Sequence, residues 1–246
     1  MSILKSDLIS EIKTITLNGN SITFSLTYSK KNQMPYVIIF LHGGFNFPSD
    51  ATKELDMVSY ARAGFICLGI KYPENNTKNI SLPKDVAEVI DLASWAWAHW
   101  PKLKGLFLMG VSRGGFVAYH VLSKFEDGYS MFNKTVICCG PTDLPDLKKT
   151  TMIPQATLKK MWPYFNWANN EISSSPAHHA KAILKHPLFL AYGKKDMIVP
   201  IAQGTLMWYW MQPAHPKSIY RTYNNGHGLA DDPNVRKEIM VWLLKK

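Results

Sequence analysis

A serine, an aspartate and a histidine follow one another along this chain in settings that suit acyl transfer. Ser112 lies between glycines in Gly110-Val111-Ser112-Arg113-Gly114, directly after the apolar run Leu106-Phe107-Leu108-Met109. Small residues around a serine let a strand turn sharply into a helix and lift the hydroxyl clear of the sheet. Asp196 follows the apolar run Leu188-Phe189-Leu190-Ala191-Tyr192, and His227 follows the alternating run Ser218-Ile219-Tyr220-Arg221-Thr222-Tyr223. A serine hydroxyl is a poor nucleophile at neutral pH and needs a base to take its proton as it attacks. His227 has the chemistry of that base. Asp196 has the chemistry that fixes the imidazole tautomer and stabilises the imidazolium once formed.

Attack on a carbonyl leaves a negative oxygen, which needs donors. The backbone N–H of Arg113, just after the serine, is one candidate. The backbone N–H of Gly44, in His42-Gly43-Gly44, is the other, with Phe45 as the alternative if that turn is displaced by one residue. His42 is expected to support the turn by hydrogen bonding, and the Arg113 side chain to lie on the surface. Asp143 competes with Asp196 for the acid role, because it also lies just past a predicted strand. The other histidines form no HExxH-like ligand pattern, and the chain carries no G-x-G-x-x-G and no P-loop. No metal and no organic cofactor is needed for this chemistry.

The elements that must hold these residues are legible as alternating periods. Asn18-Gly19 between two alternating runs predicts a hairpin over 14–28. Strands are predicted near 36–41, 65–71, 105–110, 134–139, 187–192 and 218–223. Helical spacing is predicted over Lys53–Ala63, Pro83–Trp100, Arg113–Lys124, 201–212 and 233–244. Strands alternating with helices predict a mostly parallel sheet of about eight strands with helices on both faces. The hairpin makes the antiparallel edge. All four candidate features then fall just past the carboxyl ends of strands, where open α/β sheets gather their chemistry. Residues 141–186 break the rhythm with Pro145, Pro154, Pro163 and Pro176 and the aromatic stretch Trp162-Pro163-Tyr164-Phe165-Asn166-Trp167. They predict a small helical cap inserted into a single domain spanning 1–246.

The order Ser, Asp, His, preceded by an HGG segment, resembles the α/β-hydrolase superfamily from about residue 14 to the C-terminus. Gly110-Val111-Ser112-Arg113-Gly114-Gly115 and Ser175-Pro176 are similar to the catalytic domains of prolyl oligopeptidases and to dienelactone-hydrolase-like enzymes. The resemblance implies a serine hydrolase forming an acyl-enzyme on Ser112, first of all a carboxylesterase acting on an ester, thioester or small amide. A prolyl oligopeptidase-type peptidase is the alternative within the class. A catalytically silent, hydrolase-like binding protein is the alternative outside it. The chain is too short to hold the propeller domain of full prolyl oligopeptidases.

Composition bounds the partners. The net charge of +10 is spread in lysine pairs with no dense basic run, so a solvated basic surface is expected and nucleic acid is not. No apolar run reaches the roughly 18–20 residues of a membrane span. The charged N-terminal stretch lacks the unbroken apolar core of a signal peptide, and a cytoplasmic protein is expected. Cys67, Cys138 and Cys139 read as reduced core thiols within buried strands. The expected partner is a small ester or a short peptide; oligomeric state is left open.

Overall fold

The computed structural model describes residues 7–44, 56–71, 81–125 and 130–245. Alternation of side chains over Leu8–Leu17 (β1) and Asn20–Ser29 (β2) builds an antiparallel hairpin. Its turn places Asn18 and Gly19 at φ 50° and 80°, the left-handed pair that a two-residue hairpin loop requires. Six further strands follow: β3 (Tyr36–Leu41), β4 (Ile66–Ile70), β5 (Gly105–Val111), β6 (Lys134–Cys138), β7 (Leu188–Gly193) and β8 (Ile219–Tyr223). Strands β4 to β7 are buried along their whole length, which is why they read as continuous apolar runs and not as alternation.

The eight strands form one sheet in the order β1-β2-β4-β3-β5-β6-β7-β8. Strand β2 pairs antiparallel with β4, and every pair from β4 to β8 is parallel. The chain steps from β3 to β4 on one side and then crosses to β5 on the other. The carboxyl ends of β3 and β5 therefore flank a topological switch point, where the loops diverge and leave a crevice.

The helices described are α1 (Met57–Arg62), α2 (Leu82–His99), α3 (Arg113–Leu122), α4 (Leu144–Thr150), α5 (Gln155–Phe165), α6 (Glu171–Ser174), α7 (Ala180–Ile183), α8 (Ile201–Trp210) and α9 (Pro233–Leu244). Right-handed crossovers put α1 on the face opposite α2 and α3, because the connections run in opposite directions across the sheet. Helices α2 and α3 pack side by side. Arg236 of α9 pairs with Asp56, the N-cap of α1, at 2.9 Å, so the last helix returns to the α1 face. The predicted elements hold to within a few residues. Of the helical stretch expected over Lys53–Ala63, residues 53–55 lie outside the described residues.

Between β6 and β7 the chain forms α4 to α7 and a 3-10 turn at Pro176–His179. The middle of this segment docks on α3: the Phe165 ring meets Phe116 edge-on at 5.0 Å, and His120 bonds the Ser174 carbonyl at 3.1 Å. Cys67 and Cys138 are free core thiols as expected. Cys139 corrects the reading of a second strand thiol. It lies one residue past β6 with φ 51°, because the chain must bend there to clear the sheet edge. No helix among the described residues is long and apolar enough to cross a membrane.

Candidate active site

Ser112 sits between β5 and α3 at φ 53° and ψ −117°. A non-glycine residue held at positive φ stores on the order of 1–3 kcal/mol, which the surroundings must offset. Its N–H donates to the Cys138 carbonyl at 2.9 Å, and its own carbonyl accepts from Phe116 N at 3.0 Å. The flanking glycines are required by contact. A Cβ on Gly110 would stand 2.3 Å from the Gly114 carbonyl oxygen, and one on Gly114 would stand 2.0 Å from the Leu41 carbonyl oxygen. The bend is thus tight enough to press the start of α3 against the end of β3.

That contact brings the second donor segment alongside. Leu41 is in register with Gly110, so His42-Gly43-Gly44 leaves the sheet next to the elbow. The buried His42 donates from Nδ1 to the Gly43 carbonyl at 2.7 Å, the supporting role expected of it. Gly44 has φ 75°, a conformation that favours glycine. Phe45, the alternative donor, lies outside the described residues.

The Arg113 side chain is not on the surface. It is 3% exposed, folds back under the elbow and pairs with Asp85 of α2, Nη2 to Oδ2 at 2.6 Å. The surface expectation rested on residue type alone; a buried carboxylate 28 residues upstream overrides it.

The residues expected to act as acid and base meet past the ends of β7 and β8. Asp196 Oδ2 accepts from His227 Nδ1 at 2.8 Å. Asp196 Oδ1 accepts from the Ile198 and Val199 N–H groups, each at 2.9 Å. Burial pushes the Asp196 carboxyl up, but the His227 bond and charge and the Val199 N–H outweigh it and hold it below its ordinary value. Burial and the Asp196 charge push the neighbouring Cys139 thiol well up, so it stays protonated. The Asp196 side chain is 0% exposed and that of His227 29%, which shields the acid and leaves the base open to a reactant.

His227 reaches this position because its loop folds back over β7. Lys194 N donates to the Tyr223 carbonyl at 2.8 Å and Lys195 N to that of Asn225 at 3.0 Å. A Cβ on Gly193 would lie 2.4 Å from the Asn225 carbonyl oxygen, so glycine is needed where the loop crosses. Along the edge from Ser112, its N–H bonds Cys138, the next residue, Cys139, brings its Sγ within 4.8 Å of the Asp196 carboxylate, and Asp196 bonds His227.

Asp143, the rival acid, is spent elsewhere: its Oδ1 caps α4 by accepting from Asp146 N at 2.8 Å. Ser175, of the Ser175-Pro176 motif, accepts from Leu144 N and donates to the Glu171 carbonyl, tying α4 to α6. Cys139, Asp196 and His227 each offer a metal-capable atom within 4.8 Å of the others. The facing atoms of the acid and the imidazole bond each other, which is the arrangement of a hydrogen-bonded relay. A cavity of about 450 Å³ opens beside Asp143, Ile172, His178 and Trp210, and neither Ser112 nor His227 lines it. We therefore do not assign it to the reaction. Sequence reasoning missed the Cys139 thiol, Asp85 and Tyr164; the readable signal was a set of acids, Asp85, Glu88 and Asp91, recurring at threes within the apolar helix α2.

The sequence model of the prolyl oligopeptidase family matches residues 76–245. Among solved structures, the chain is similar to a puromycin-hydrolyzing peptidase of Mycobacterium tuberculosis (TM-score 0.72, 17% identity, 94% of this chain and 38% of that one). It is similar to an acylaminoacyl peptidase of Pyrococcus horikoshii (TM-score 0.74, 15% identity, 96% and 40%). It is also similar to an esterase of Pyrococcus furiosus (TM-score 0.72, 16% identity, 96% and 91%). At these identities the likeness establishes the fold, that of the α/β-hydrolases. The chain spans about two fifths of the length of the two peptidases.

Proposed function

The chain belongs to the prolyl oligopeptidase family, and on that premise we propose that it is a serine hydrolase cleaving a carboxylic ester, thioester or small amide through an acyl-enzyme on Ser112. The observation that carries this reading is the shielded Asp196–His227 bond at the same sheet edge as a strained serine. Ser112 Oγ attacks the carbonyl carbon as its proton passes to His227 Nε2. The C=O π pair moves to oxygen, and the N–H groups of Arg113 and Gly44 receive that charge. Asp196 holds the Nδ1 proton, so Nε2 is the free base before attack and the imidazolium is stabilised after it. Collapse breaks the bond to the leaving group, which takes the proton from Nε2. Water, activated by the same nitrogen, then releases the acid and restores Ser112.

An ester is preferred to an amide because an alcohol leaves with less help from the general acid than an amine does. A peptidase is the second reading, favoured by the family match and by neighbours named as peptidases. Parallel kinetics on p-nitrophenyl esters and aminoacyl amides separate the two. A fluorophosphonate probe tests the class: it is expected to label wild type at Ser112 and to leave Ser112→Ala unlabelled and inactive. A folded wild-type sample that takes no label favours the binding-protein alternative instead.

A further inference from the structure

Burying a guanidinium is costly unless it is paired, and a buried pair adds little net stability even then. Arg113 must therefore be read by what its geometry specifies. Three separate parts of the chain meet on it. Nη2 bonds Asp85 Oδ2 at 2.6 Å, in the first turn of α2. The same oxygen accepts from the Tyr164 hydroxyl at 2.5 Å, and Asp85 and Tyr164 are 2% and 6% exposed. The Tyr164 ring also lies beneath the guanidinium, 4.6 Å from its carbon to the ring centroid, a cation–π arrangement. Finally, Nη1 reaches the Gly44 carbonyl at 3.4 Å.

The last contact falls on the turn that carries the proposed oxyanion donor. A peptide plane is rigid, so holding its carbonyl sets the direction of its N–H. His42 holds the Gly43 carbonyl and so orients the Gly44 N–H. Arg113 holds the next carbonyl, that of Gly44, at the residue whose positive φ leaves it least restrained by sterics. We propose that Arg113 is a positioning residue whose guanidinium, held by Asp85 and Tyr164, locks the Gly44 turn against the serine elbow and so couples α5 to the oxyanion site. The catalytic part of this inference rests on the hydrolase reading above; the mechanical part does not.

The test uses Arg113→Lys, which keeps the charge but cannot bond Asp85 and Gly44 together, and Tyr164→Phe, which keeps the ring but loses the bond to Asp85. Misplacing an oxyanion donor costs on the order of 10–100-fold in kcat. Arg113→Lys is expected to lose that much with KM within about twofold, and Tyr164→Phe to lose less in the same direction. Both should bind a trifluoromethyl ketone, whose adduct carries the oxyanion, more weakly by a matching factor. Independently of turnover, hydrogen–deuterium exchange of a peptide spanning 36–44 should speed up in Arg113→Lys while a peptide spanning 219–227 stays unchanged. A folded Arg113→Lys with wild-type kcat and wild-type exchange at 36–44 overturns the proposal. If Arg113→Lys does not fold, Tyr164→Phe decides by the same two readouts. If wild type neither turns over ester nor labels at Ser112, the hydrolase reading falls, and the exchange result alone decides whether the clamp exists.

Discussion

The two halves of the proposed active site, on either side of Ser112, are held in place by different means. On the acid–base side, Asp196 is fixed by N–H groups two and three residues further on, and His227 by a loop whose carbonyl at Asn225 bonds Lys195. On the oxyanion side, the Gly44 turn is tied to the elbow through a buried side-chain network whose members lie 28, 69 and 79 residues apart. The first half is built mainly from backbone bonds, between the Asp196 loop and the loop that carries His227. The second depends on the packing of α2 and α5, so substitutions there can reach the reaction without touching a reactant.

Breaking the acid–base half should have the largest effect. Asp196→Asn presents an amide where the imidazole needs an acceptor, and kcat on a p-nitrophenyl ester is expected to fall on the order of 10⁴-fold with the fold retained. Next is the seam between the halves. Gly114→Ala drives a methyl to 2.0 Å from the Leu41 carbonyl oxygen, where neither backbone can yield. It should lower stability by about 3 kcal/mol or more and the melting temperature by several degrees in a thermal scan. A smaller effect sharpens the comparison from the acid side. Cys139→Ala removes a thiol that lies within 4.8 Å of the Asp196 carboxylate without a bond to it, and should lower kcat far less than Asp196→Asn does.

The pH dependence of stability distinguishes the halves by sign. Asp196 titrates below its ordinary 3.8 in the fold, so its contribution is present above that value and is lost as pH falls through the folded one. Glu88 lies on α2 near Asp85. Burial, and then the Asp85 charge, raise it from 4.5 to about 7. A raised carboxyl keeps its proton in the fold where the unfolded chain has released it, so it penalises folding progressively as pH rises from 4.5 to about 7. Denaturant titrations across that window should show wild type losing stability relative to Glu88→Gln. Equal slopes for the two proteins would refute the assignment.

The strands and the order of chemistry-bearing residues were legible because each follows a local rule. Buried parallel strands are apolar runs, the elbow needs glycines at fixed offsets, and Asn18-Gly19 can form a two-residue turn. Helix α9 begins and ends where the pattern of Pro233–Leu244 says it should. Arg113 was misplaced on the surface, and Cys139 in a strand, because neither position is decided by its neighbours in sequence. Asp143, the minor rival to Asp196 for the acid role, has its carboxylate occupied in capping α4, which no local pattern announces.

What the amino-acid order alone determined is the fold class and which residue types stand at the ends of which strands, since periodicity and turn chemistry act over a few residues. Only the tertiary structure decided which of two aspartates meets the histidine, and that the arginine beside the serine is buried against Asp85 and Tyr164. Those are choices among partners far apart in the chain. They are settled by desolvation, which leaves a buried charge or donor nowhere to go but to the partner that packing brings within reach.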